Sequence, residues 1–183
     1  MNKEKLLLHC CCAPCITVPM ERLSPDHDLE LFFYNPNIQP EAEYQQRLNE
    51  LKKYAAKQKL NLVIGEYDNG RWETLTKDLA AELEGGKRCF RCYELRLGET
   101  ANQAKQKNIP WFTSTLSISP HKNAEVINLL GQEIAKKYAL KYYQADFKKK
   151  DGFKRSLEIS KQEDFYRQSY CGCLYSRDPV EIK

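Results

Sequence analysis

Five short, continuously apolar runs recur along the chain with helical stripes between them. This alternation narrows the fold more than any other feature. The runs cover 5–9, 29–34, 61–65, 110–113 and 140–143. Runs this short and this apolar suit strands of a parallel sheet covered on both faces. Between them, Pro40 opens a stripe of Tyr44, Leu48, Leu51 and Ala55. Trp72, Leu75, Leu79 and Leu83 form a second stripe before Gly85-Gly86. Tyr93, Leu97, Ala101 and Ala104 form a third, on a helix beginning near Cys89. Asn123 is the expected N-cap of a fourth, carrying Ile127, Leu130, Ile134 and Tyr138. Strand–helix alternation predicts βαβ units and one open, doubly wound α/β sheet in three layers. The whole chain, 1–183, is expected to be a single catalytic domain, since no repeat, linker or low-complexity segment divides it. Ligands of such sheets bind beyond the carboxyl ends of the strands, where the strand order switches.

Composition removes several classes. There is no apolar run long enough for a membrane span. Three leucines after Met1-Asn2-Lys3-Glu4-Lys5 are too few for a signal-peptide core, so a cytoplasmic, reducing location is expected. Eleven tyrosines and seven phenylalanines argue against disorder.

Eight cysteines fall in three knots: Cys10, Cys11, Cys12 and Cys15; Cys89 and Cys92; Cys171 and Cys173. Scattered core thiols would not cluster so, and the grouping points to metal or redox chemistry. The first knot follows the first strand, where an open sheet keeps its chemistry. The second stands at a helix start, where the dipole favours thiolate. Spacing alone leaves three readings open: an iron–sulfur cluster, zinc, or a metal-free thiol enzyme. Cys171-Gly172-Cys173 closes a small, strained ring if oxidised, which suits a reversible redox pair, although two more metal ligands would have the same pattern.

The segment ahead of that pair is basic. Lys148, Lys149, Lys150, Lys154 and Arg155 stand against Asp151 alone, a net of +4 equal to the excess of the whole chain. Arg167 follows, with Phe153, Phe165, Tyr166, Tyr170 and Tyr175 interleaved. Cations for phosphates and rings for bases suit RNA, and a solvated loop is the plain alternative. Three further groups should border the cleft: Tyr34-Asn35-Pro36-Asn37-Ile38 after the second strand; Ser114, Thr115, Ser117, Ser119 and His121 after the fourth; Asp146 after the fifth. His121 and Asp146 are candidate acids.

Four strings of the chain together resemble a known family. They are His9-Cys10-Cys11-Cys12-Ala13-Pro14-Cys15, Phe33-Tyr34-Asn35-Pro36-Asn37-Ile38, Cys89-Phe90-Arg91-Cys92-Tyr93, and Tyr166-Arg167-Gln168-Ser169-Tyr170-Cys171-Gly172-Cys173. In this order they are similar to the cobalamin-independent epoxyqueuosine reductases, the QueH family. Asp146-Phe147, Arg155-Ser156, Glu158 and Ser160-Lys161 fit a later motif. The resemblance implies a Rossmann-like sheet akin to the PP-loop and HUP superfamily. It also implies reduction of epoxyqueuosine to queuosine at the wobble position of tRNA, the last step of queuosine biosynthesis. Matched position by position, it implies Cys11, Cys12, Cys89 and Cys92 as ligands of a [4Fe–4S] cluster. Cys171 and Cys173 become a redox-active disulfide pair, and Cys10 takes a variable position. Cys15 and Asp146 are then candidates for a second, mononuclear iron or zinc. Lys148, Lys149, Lys150, Lys154, Arg155 and Arg167 of a C-terminal segment spanning about 146–178 would hold tRNA with a queuosine-type anticodon, and an external donor would supply electrons. The competing functional readings are a tRNA sulfurtransferase-like thiol enzyme, disfavoured by the missing phosphate loop, and a non-catalytic zinc-containing RNA-binding module.

Overall fold

A computed structural model describes residues 3–176. Five parallel strands form one sheet in the order β3-β2-β1-β4-β5. They are β1 (Glu4–Cys10), β2 (His27–Phe33), β3 (Asn61–Ile64), β4 (Trp111–Ser114) and β5 (Lys141–Tyr142). All five expected strands are present. The helices are α1 (Ala13–Leu23), α2 (Glu41–Lys57), α3 (Asn69–Thr76), α4 (Lys87–Gln106), α5 (Ala124–Tyr138) and α6 (Gly152–Gln162).

Alternation along the strands builds two cores. Leu6, Leu8 and Cys10 of β1, with Leu31 and Phe33 of β2, pack under α1 and α2. Leu7, Phe32 and Phe112 face the opposite way, under α3, α4 and α5. Leu6, Leu7 and Leu8 are all fully buried, so β1 is covered on both faces, as its unbroken apolar run requires. Burying one leucine of this kind contributes roughly 1.5–3 kcal/mol. The result is a three-layer α/β sheet with a Rossmann-like arrangement.

Three helical details differ from expectation. The stripe through Leu75, Leu79 and Leu83 does not form one helix. α3 ends at Thr76, whose hydroxyl donates back to Trp72 O at 2.9 Å, and a short 3-10 turn follows at Lys77–Leu79. Only Trp72 and Thr76 of α3 are buried, and Leu83 is 83% exposed. α1 was hidden by its two prolines: Pro14 fits the first turn, where no amide donor is needed, and Pro19 lies inside. α6 was hidden by its charge. It buries Ser156, Ile159 and Ser160, spaced as one helical face, and packs against α1. Gly152 opens α6 where a Cβ would overlap Phe147 O.

Asn123 caps α5 as expected, its Oδ1 accepting from the amides of Glu125 and Val126. The order of strands places the switch between β1 and β4: the chain moves outward to β3 on one side and to β5 on the other. A ligand is therefore expected beyond the adjoining ends of β1 and β4. No helix among the described residues is long and apolar enough to cross a membrane.

Candidate active site

A cavity of about 270 Å³ opens at that switch. Cys11 and Cys15 enter it from the end of β1, Thr115 and His121 from the end of β4, and Cys171 from the C-terminal segment. Phe153 of α6, Arg167 and Gln168 close other sides.

β1 ends at Cys10, which puts Cys11 and Cys12 in the turn before α1 and Cys15 in its first turn. The three sulfurs lie within 4.8 Å of one another, the only such metal-holding group of three or more among the described residues. Cys11 Sγ lies 3.8 Å from Cys12 Sγ, and the Cys12 thiol points to Cys15 Sγ at 2.7 Å. Two sulfurs on one tetrahedral ion stand about 3.8 Å apart when each metal–sulfur bond is near 2.3 Å. The Cys11–Cys12 pair therefore matches thiolate ligation without rearrangement. Gln168 Nε2 donates to Cys12 Sγ at 3.3 Å, joining the C-terminal segment to this turn.

The three thiols are unequal. Hydrogen bonds from Cys12 and Cys15, then the charges of Arg96 and Lys122, hold the Cys11 thiol well below its ordinary range despite burial. Burial and the Cys11 charge push Cys12 up to about 12, and Cys11 and Cys12 together raise Cys15. Cys11 is thus the most acidic thiol of the trio. Cys10 takes no part. Its thiol is fully buried in the core and donates to Leu8 O at 3.0 Å.

Cys89 sits in the first turn of α4, its sulfur accepting from Gly85 N at 3.2 Å. Burial raises Cys89, and it carries Cys92 to about 11. Neither joins the Cys11–Cys12–Cys15 group. The charge of Cys171 acts on both, and on Arg96 and Lys122. Cys173 is buried and donates to Ser176 Oγ at 3.5 Å. All eight cysteines are free thiols.

Several residues that hold this centre carry no motif. Arg96 is 1% exposed and donates to Asn35 Oδ1 at 2.6 Å, while Asn35 Nδ2 donates to Cys10 O at 2.9 Å. Asn35 is therefore a strut joining α4 to β1, the structural reading of the Asn-Pro-Asn turn. Burial alone would lower Lys122, but the charge of Cys171, with Tyr93 and Cys11, holds it above its usual range. His9 is enclosed. Its Nε2 donates to Tyr34 O at 3.1 Å and its Nδ1 accepts from Ser114 Oγ at 2.8 Å. Burial, then the Arg96 charge, pushes His9 down to about 3, so the ring is neutral. No sequence signal marks Lys122, which lies more than one hundred residues from Cys11.

The remaining expected residues divide. His121 and Arg167 line the cavity. Arg167 also lies over the Phe153 ring at 5.9 Å and donates to Ser160 Oγ at 3.0 Å. Asp146 lines a neighbouring hollow with Asn128, Lys148 and Lys149, and pairs with Lys148 at 3.0 Å. Arg155 pairs with Glu21 at 2.9 Å. Lys149, Lys150 and Lys154 are exposed. Residues 177–178 of the expected C-terminal segment lie outside the described residues.

The chain matches the family model described as "Epoxyqueuosine reductase QueH" over residues 6–179. Curated relatives named epoxyqueuosine reductase QueH are similar to it along nearly its whole length. The protein from Acinetobacter baylyi is 42% identical over 177 residues, covering 96% of this chain and 81% of the relative. That from Thermotoga maritima is 38% identical over 174 residues, covering 93% and 89%. That from Streptococcus pyogenes serotype M1 is 37% identical over 192 residues, covering 99% and 75%.

Proposed function

Because this chain belongs to the epoxyqueuosine reductase family QueH, an oxidoreductase family, we propose that it converts epoxyqueuosine to queuosine at the wobble position of tRNA. The observation that carries the reading is the cavity at the β1–β4 switch, where Cys11, Cys15 and Cys171 face one space beside Arg96 and Lys122.

The donor set fits thiolates on a single metal ion, on the Cys11–Cys12 spacing and the lowered pKa of Cys11; a cluster takes one thiolate per iron, so its four ligands would have to spread from the spacing seen here. Cys11, Cys12, Cys89 and Cys92 would hold a [4Fe–4S] cluster, and Cys15 would serve a second, single iron or zinc ion. When bound, the metal group would supply a Lewis acid for the epoxide oxygen and a one-electron path from the external donor to the cysteine pair. The chain's own residues supply the rest. Removing the epoxide oxygen takes two electrons and two protons: both C–O bonds break, the carbons form a double bond, and the oxygen leaves as water. The Cys171 and Cys173 thiols can give both electrons and both protons as they join in a disulfide, which an external donor then reduces. His121, on the cavity wall, is the better placed group to relay one of these protons to the oxygen. Asp146 faces the neighbouring hollow and is already engaged by Lys148.

A cavity this size takes one base, which the enzyme would draw from the anticodon loop. Phe153 and Arg167 at its wall offer a stacking surface. Exposed Lys149, Lys150 and Lys154 would hold phosphates, joined by Lys148 and Arg155 only on giving up their carboxylate partners. Such a substrate implies a cytoplasmic enzyme, and 1–183 acting as one catalytic domain.

The test is a nucleoside analysis. Metal-loaded protein, a chemical reductant and tRNA carrying epoxyqueuosine are incubated without oxygen, and the tRNA is digested and weighed by mass spectrometry. Loss of one oxygen from the modified nucleoside is expected, abolished by Cys171→Ser with the visible spectrum retained. Full turnover by Cys171→Ser would remove the redox pair from the mechanism.

A further inference from the structure

Arg47 stands on the apolar face of α2 beside Tyr44, Leu48 and Leu51, and is 1% exposed. A buried guanidinium is costly unless every donor direction is used. Its partners explain its presence. Nε donates to Glu43 Oε1 at 2.6 Å, Nη1 to Cys171 O at 3.1 Å and Nη2 to Tyr170 O at 3.3 Å. The guanidinium also lies 5.4 Å from the centre of the Tyr170 ring. The next carbonyl, Gly172 O, accepts from Gln39 N at 2.8 Å, and Tyr170 Oη donates to Gln39 O at 2.7 Å. Three consecutive carbonyls, 170 to 172, are thus held where no helix or strand supports the chain. Tyr166 Oη completes the network by donating to Glu43 Oε2 at 2.9 Å.

The fit is close. Gly172 has φ +123°, and a Cβ there would come within 2.9 Å of Ile38 Cγ1 and 3.2 Å of Arg47 Nη1. In this arrangement Cys171 lines the cavity while Cys173 is buried against Ser176. The two thiols have different neighbours and different surroundings. Joining them brings the sulfurs to about 2.05 Å across a single intervening residue, a closure that acts directly on the peptides on either side of Gly172. Those peptides carry the carbonyls that Arg47 and Gln39 hold.

We propose that Arg47 is the positioning residue of the Cys171–Cys173 pair, gripping the backbone on both sides of Cys171 so that the dithiol strap is favoured over its disulfide. The inference rests on the reading of these cysteines as a redox pair. Oxidation forms one S–S bond and releases two electrons and two protons, which the epoxide takes up. By stabilising the dithiol, Arg47 makes the spent pair easier for the external donor to reduce, as with other dithiols whose reduced form is stabilised.

The experiment equilibrates the full-length protein, without oxygen, in glutathione buffers of graded ratio. Acid quenching, alkylation and peptide mass mapping then give the fraction joined at Cys171–Cys173. Arg47→Met is expected to move the equilibrium toward the disulfide about tenfold, or about 30 mV. Arg47→Lys, which keeps the charge but not the fork, should fall between it and the unaltered protein. Tyr166→Phe removes only a hydroxyl at the edge of the network and should shift the equilibrium two- to threefold in the same direction, so the proposal stays testable if Arg47→Met does not fold. A disulfide that forms in the unaltered protein but keeps its equilibrium within twofold in Arg47→Lys and unchanged in Tyr166→Phe overturns the role of Arg47 and leaves the redox pair standing. No Cys171–Cys173 disulfide in the unaltered protein at any ratio overturns the redox pair and this inference with it.

Discussion

The cavity is bounded by two cysteine segments held in opposite ways. Cys11, Cys12 and Cys15 follow a strand covered on both faces and lead directly into α1. Their positions are set by the sheet itself. Cys171 and Cys173 lie in a strap between α6 and a short 3-10 turn at Leu174–Ser176, docked by a handful of hydrogen bonds to Arg47 and Gln39. Moving the first group means breaking the core throughout; moving the second means breaking these hydrogen bonds, worth about 1–3 kcal/mol each, and lifting Cys173 from the edge of the core. The difference matches the roles proposed for them. A metal site needs fixed ligands, whereas a pair that forms and breaks an S–S bond needs a backbone able to yield.

The comparison breaks most sharply at Cys11. Cys11→Ser should abolish metal retention and cut turnover by at least about a thousandfold, since Cys11 is the thiol of the trio held lowest and thiolates are the ligating form. Cys10→Ser should retain metal, because that thiol lies in the core and bonds to Leu8 O. Metal content per chain and turnover of the two variants decide the matter. Equal metal loss in both would mean that the fold, and not the thiolate, was lost.

Gly172→Ala tests the strap. Its left-handed φ and the Ile38 contact at 2.9 Å should cost about 1–3 kcal/mol, drawn from strap docking rather than from the core. Turnover should fall about ten- to a hundredfold with metal content unchanged and a thermal midpoint lowered by only about 2–4 °C per kcal/mol of that cost. A large fall in the midpoint would show that the strap is part of the global core, contrary to the comparison.

His9 gives the sheet side a signature in pH. Its folded value of about 3 lies below the ordinary 6.5, so the unfolded chain takes up its proton first as pH falls. Its contribution is fully present above about pH 6.5 and is lost on going down to about pH 3, at up to about 1.4 kcal/mol per pH unit. His9→Gln should flatten this acid limb in urea titrations between pH 6 and 4, roughly. An unchanged slope would mean that other groups govern it.

The smallest effect is expected on the outer surface. Lys149→Ala, an exposed cation, should weaken tRNA binding a fewfold and lower the salt slope by about one charge. Lys148→Ala should change the slope less, its amine being engaged by Asp146 and by the carbonyls of Ser117 and Lys122. Equal slopes for both would mean that RNA binding frees Lys148 from Asp146.

These two segments also differ in how far they could be read in advance. The sheet was legible because burial on both faces leaves unbroken apolar runs, and the switch between β1 and β4 then locates the first cysteine knot. The strap left almost no periodic trace. Its supports are long-range bonds between a side chain and backbone carbonyls, and the only sign was a charged Arg47 on the apolar stripe of α2. Arg96 and Lys122 were missed for a related reason: their meaning comes from Cys11 and Cys171, which only the fold brings near. α6 gives no helical stripe in the sequence because its charged exposed face outweighs the residues it buries.

The central claim is that the cysteine cavity is a metal-dependent redox centre. It is tested most directly by purifying the protein without oxygen, reconstituting it, and measuring iron, sulfide and zinc per chain with the visible spectrum. A brown protein with about four irons and four sulfides is expected, further iron or zinc marking a second site, with the colour kept in Cys171→Ser but lost in Cys11→Ser. A colourless protein that holds zinc alone after reconstitution would contradict it.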